Sequence, residues 1–69
     1  MPLNMATIGE KYLVKKVLGK DEIRRFLENL GFVPGAEITP VSEMCGNVIV
    51  QVRESRVAVS KEMAGKIII

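Results

Sequence analysis

The chain has no His and no Trp, a single Cys, and only two Phe and one Tyr among its 69 residues. Each shortage excludes something. Without His no imidazole can activate a Ser, Cys or Lys nucleophile, and no two carboxylates share an obvious cleft, so catalysis has no apparatus. The lone thiol, Cys45, forms no internal disulfide. A transition-metal ion is usually held by His with carboxylates or by several thiolates. Met44 and Cys45 are neighbours that point to opposite faces of a strand, which does not favour joint chelation. No metal or cofactor is therefore expected. The phosphate loop Gly-x-x-x-x-Gly-Lys-Ser is missing too. There is no apolar run of roughly 18 residues to cross a membrane. Met1-Pro2-Leu3-Asn4 lacks the basic and apolar regions of a signal peptide. With the unpaired cysteine, these absences lead to the expectation of a soluble protein of a reducing cytoplasm.

What is present is apolar and β-branched. The hydrophobic fraction is 48%, much of it Val and Ile, which predicts one small β-rich domain spanning residues 1–69. Ten Lys/Arg against eight Asp/Glu leave a net charge of +2 with the signs interspersed. That balance is only mildly basic. Readers of single-stranded nucleic acid set exposed aromatics beside a basic groove. Here Tyr12 is the only aromatic outside the predicted helix and its stop. The patch Lys15-Lys16 with Arg24-Arg25 reads better as a solubilising surface, so no nucleic acid is expected.

Along the chain, residues 1–10 form a lead-in that turns at Gly9, with Leu3, Met5 and Ile8 as candidates to cap the core. Lys11 to Leu18 reads as a strand whose parity flips near the lysines, the mark of a bulge or bend. Asp21 is placed as an N-cap. Ile23, Phe26, Leu27 and Leu30 follow at i, i+3, i+4 and i+7, a helical stripe with both arginines off it. Asp21 with Arg25, and Glu22 with Arg25, stand at pairing distance, each worth roughly 0.2–0.5 kcal/mol.

The helix stops at Leu30-Gly31-Phe32-Val33-Pro34-Gly35. Gly31 takes the left-handed position past the helix end, and Phe32 returns to pack on Leu27. Pro34-Gly35 occupy the centre of a type II turn. This junction is structural: Gly31→Val is expected to damage folding. Glu37 to Ser42 follows as an edge or bent strand because of Pro40. Turns are placed at Gly46-Asn47 and Glu54-Ser55. Val48, Val50 and Val52 alternate with Ile49, Gln51 and Arg53, and Val57 and Val59 continue the pattern. Ser60 caps one helical turn that Gly65 ends, and Lys66 to Ile69 closes as the last strand. About five strands, one helix between the first two and a helical turn before the fifth predict a small, mostly β, SH3-like barrel.

These residues resemble the FeoA family, bacterial ferrous-iron transport protein A. The resemblance rests on Gly9-Glu10-Lys11-Tyr12-Leu13-Val14, Arg24-Arg25-Phe26-Leu27, Leu30 to Gly35, Gly46 to Val52, Ala58-Val59, Ala64 and Ile67. It spans residues 7–69, with Phe26 where the family more often has Leu and Glu54-Ser55 where its hairpin often has Gly. The resemblance implies an SH3-like barrel, found free or as the terminal domain of iron-dependent repressors. It implies a family-level link to transition metals, and partnership with FeoB, the membrane ferrous-iron transporter with a GTP-binding domain.

On this reading the chain is a non-enzymatic adaptor. The residues chosen for partner contact are Arg24 and Arg25 on the charged helix face and Met44 on the edge segment. An arginine finger into the transporter's GTP site is the bolder role for either arginine, and a solvated helix face the plainer one. An open barrel edge also offers a route to weak self-association. The alternative function is a stand-alone module that binds a segment of a transcriptional regulator.

Overall fold

The computed structural model describes residues 1–69. A 3-10 turn, Leu3–Met5, leads to β1 (Tyr12–Leu13), β2 (Lys16–Val17), α1 (Asp21–Leu30), β3 (Glu37–Met44) and β4 (Asn47–Val52). Then come β5 (Ser55–Ser60), α2 (Lys61–Ala64) and β6 (Ile67–Ile68). The expected first strand is thus two short ones. The chain bends at Val14-Lys15, so that β1 pairs with β3 while β2 pairs with β6. Buried Val14 is the pivot: its N–H donates to Ala36 O at 2.9 Å, and its carbonyl accepts from Gly35 N at 2.8 Å.

All neighbours are antiparallel, in a four-stranded sheet ordered β1-β3-β4-β5 and a two-stranded sheet of β2 and β6. The mostly β architecture is as expected. The barrel is not closed by hydrogen bonds, because the bend divides the strands between two sheets. Val48, Val50, Val52 and Val59 turn inward to meet Ile38, Leu27, Phe32, Leu3, Ala64 and Ile67, all buried. Alternation with a period of two makes this possible on every strand.

The helix stop forms as predicted. Gly31 has φ of 113°, its N–H donates to Glu28 O at 2.9 Å, and Phe32 N–H donates to Leu27 O at 3.0 Å. These two bonds satisfy carbonyls that the helix end would otherwise leave open, in the Schellman pattern. Ala36 N–H then donates to Val33 O at 2.9 Å across Pro34-Gly35, with Gly35 at φ of 88°, the turn geometry expected. Ser60 Oγ accepts from Met63 N at 3.2 Å, capping α2.

Several local expectations are corrected. Lys20, not Asp21, is the N-cap, with no side-chain bond to the helix; Asp21 is the first helical residue and pairs with Arg24 instead of Arg25. A carboxylate in the first turn still favours the helix N-terminus. Phe26 is 49% exposed, although it lies on the stripe. At about 100° per residue it falls on the flank of a buried face centred on Leu27, and so small a core covers only the centre. Of the three lead-in residues only Leu3 is buried, whereas Met5 and Ile8 are exposed. Both hairpin turns lie one residue earlier than expected, at Cys45-Gly46 and Arg53-Glu54. Cys45, Gly46 and Arg53 all take positive φ. The edge-or-bent reading of β3 holds in part: β1 covers its start, and its register shifts just past Pro40. Buried Pro40 sits just where the cover ends and a bulge follows, so its missing N–H breaks no ladder bond to β1.

Candidate protein-interaction surface

The register of the larger sheet decides which side chains meet in solvent. Because Val48, Val50 and Val52 face the core, Asn47, Ile49 and Gln51 face outward. Gln51 stands beside Thr39 on β3 and Arg56 on β5. Ile49 stands beside Ser42 and Ala58, and Asn47 beside Met44. Met44 is therefore an outer-face residue, 65% exposed.

One recess of about 340 Å³ opens on this face, lined by Lys11, Glu37, Thr39, Gln51 and Arg53. Lys11 Nζ lies 3.3 Å from a Glu37 carboxylate oxygen. Gln51 is held from both ends: its amide donates to Arg53 O at 3.2 Å and accepts from Arg56 Nε at 3.1 Å. Every lining residue is polar or charged, so the recess suits a polar peptide or side chain better than an apolar ligand. Below it, Tyr12 Oη accepts from Thr7 N at 2.9 Å and donates to Glu10 at 3.1 Å, which fixes the approach to β1.

The three residues chosen from sequence do not line this recess. Arg24 and Arg25 ride on the solvent side of α1, whose Leu27 packs on the inward valines. They belong to a different surface from Met44, on the outer face. Arg24 is paired with Asp21, whereas Arg25 has no carboxylate within ion-pair distance. The junction residues Leu30, Gly31, Phe32, Pro34 and Gly35 lie at the end of the β3–β4 ladder remote from Met44, since Gly31 abuts Val52. Sequence reasoning missed Lys11, Thr39, Gln51, Arg53 and Arg56 as a group. The alternation in β4 already set Gln51 and Arg53 outward; the cross-strand register was the missing piece.

Cys45 is a free, exposed thiol, and His, Cys, Asp and Glu side chains nowhere gather in a group of three. No helix is long and apolar enough to cross a membrane.

The family model described as FeoA domain matches residues 1–69. A crystal structure of an iron uptake regulatory protein (FeoA) is 31% identical, with a TM-score of 0.89 over 97% of this chain and 91% of that one. FeoA of Stenotrophomonas maltophilia, solved with zinc and described as a prokaryotic SH3 domain protein, is 28% identical. Its TM-score is 0.86 over 99% of this chain and 87% of that one. A manganese-dependent transcriptional repressor shares the fold at 16% identity, with a TM-score of 0.86 over 97% of this chain and 39% of the repressor. No curated protein matches.

Proposed function

Because this chain belongs to the FeoA domain family over residues 1–69, we propose that it is a non-enzymatic accessory protein of ferrous-iron uptake. It works in the cytoplasm by binding FeoB, the GTP-binding membrane iron transporter, and regulating it by contact. The whole-length family match carries this reading. The surface supports it: a polar recess, an exposed Met44 and a charged helix face are contact chemistry, and no charged side chain is buried. An adaptor of this kind acts by holding one state of its partner more tightly than another. Arg24, Arg25 and Met44 are the contact residues proposed.

The test is co-purification of the tagged chain with the transporter from detergent-solubilised membranes, with GTP hydrolysis measured with and without the chain. Co-purification with a changed hydrolysis or transport rate is expected. A transporter that neither binds nor responds sinks the proposal. Recovery of a DNA-binding regulator instead would favour the regulatory-module alternative, with whose repressors this chain shares the fold.

A further inference from the structure

β5 is bonded to β4 on one side and to no strand on the other. The two-residue turn makes Val52 and Ser55 a hydrogen-bonded pair, and such pairs alternate along an antiparallel ladder. Val57 and Val59 therefore exchange bonds with β4, while the peptide groups of Arg56 and Ala58 point away from it. Neither residue takes part in a backbone bond outside the ladder. The strand holds no Pro, no Gly and no register shift, so its six residues present a regular edge. Natural sheets blunt such edges with proline, bulges, covering elements or charge. β5 carries charge alone, and that charge is Arg56.

Arg56 lies on the outer face, fixed through Nε by Gln51, with no carboxylate within ion-pair distance. Arg53, at the turn, reaches back toward Gly31 and the recess, so Arg56 is the cation that serves this edge. The recess carboxylate, Glu37 on β3, is engaged by Lys11, and Glu54 in the turn is the one acid of the β4–β5 hairpin.

We propose that the free edge of β5 accepts an extended acidic segment of a partner protein by strand addition. Its backbone pairs with the peptide groups of Arg56 and Ala58, and its outward carboxylates meet Arg56. Charge selects this occupant over a second copy. Two β5 edges paired antiparallel put both Arg56 side chains on one face with like charge across the seam. The inference rests on the reading that the protein acts by contact, and it adds the β5 edge to the surface proposed for that contact.

The experiment titrates the ¹⁵N-labelled full chain with acetyl-Thr-Glu-Val-Glu-Val-Thr-amide and with its counterpart bearing Lys for Glu, each to about 1 mM, the weak range a short strand reaches. The Glu peptide is expected to shift the Arg56 and Ala58 amides and slow their exchange, and the Lys peptide to leave them unmoved. Ala58→Pro removes an outward N–H and should abolish binding. Arg56→Glu, an exposed change, should reverse the preference between the peptides. The proposal is overturned if neither peptide moves β5, if the shifts fall on α1, or if β5 amides respond to protein dilution without peptide. Transporter co-purification that survives both variants would overturn strand addition while leaving the contact reading standing.

Discussion

A Cβ placed on Gly31 would lie 2.6 Å from Cγ1 of Val52. The helix stop is thus pressed against the last residue of β4, itself buried, and two independent demands fall on one glycine. Its φ of 113° disfavours any side chain, and the space for one is already filled.

Gly31→Ala should therefore cost more than the roughly 1 kcal/mol of backbone strain, with overpacking adding about 1–3 kcal/mol. Gly31→Val should leave little folded protein, since a domain of this size has about 3–10 kcal/mol in total. Urea unfolding of the alanine variant checks this; an unchanged midpoint would show that the stop is not under strain. If Gly31→Val folded normally and lost only partner binding, the junction would be a contact site and not scaffold.

Phe32, fully buried beyond the same glycine, fastens the stop to the core. Phe32→Ala is expected to destabilise by about 3–5 kcal/mol, enough to unfold much of the population at 37 °C. Thermal melts followed by circular dichroism would reveal the loss, and a melting temperature close to wild type would contradict the packing described.

The β3–β4 turn holds Cys45 at φ of 50° ahead of Gly46 at 78°. Both central residues positive is the type I′ pattern, which prefers Asn-Gly. Cys45→Asn should stabilise the hairpin by about 0.5 kcal/mol and remove the thiol without harm. A lowered unfolding midpoint would argue that Cys45 has a packing role.

Ser60→Ala should cost about 1 kcal/mol by removing the bond from Met63 N–H to Ser60 Oγ. The loss should centre on α2, read as faster amide exchange at Met63 and Ala64. Uniform change across β4 and β5 would instead mean that Ser60 matters as a strand residue.

Met44→Ser, at an exposed outer-face position, should leave stability within about 0.5 kcal/mol. If Met44 contacts the transporter, the same change weakens co-purification. Full retention by Met44→Ser combined with Arg24→Ala and Arg25→Ala would remove all three from the contact surface.

Much of the fold was legible because its signals are local. Leu27 and Leu30 at helical spacing, Gly31 past the helix end, Pro34-Gly35 and the inward valines each act through neighbours within a few residues. The errors have causes outside the local pattern as well as within it. The spacing that placed Phe26 on the stripe carries no information about how wide a groove the sheets offer. Residue type alone places Asn47 and Ser55 in the turns, but the positive-φ positions at Cys45 and Arg53 move both turns one residue earlier.

The sequence by itself determined the family, the β-rich class, the helix and the way it ends, since these depend on residue type and order along the chain. Only the tertiary structure decided that the first strand divides between two sheets at Val14. It alone set Thr39, Gln51 and Arg56 side by side, and left β5 with an open edge. Strand register and sheet order are relations between segments far apart in sequence. They are fixed by which pairing buries the most apolar surface at once, and no single segment contains that information.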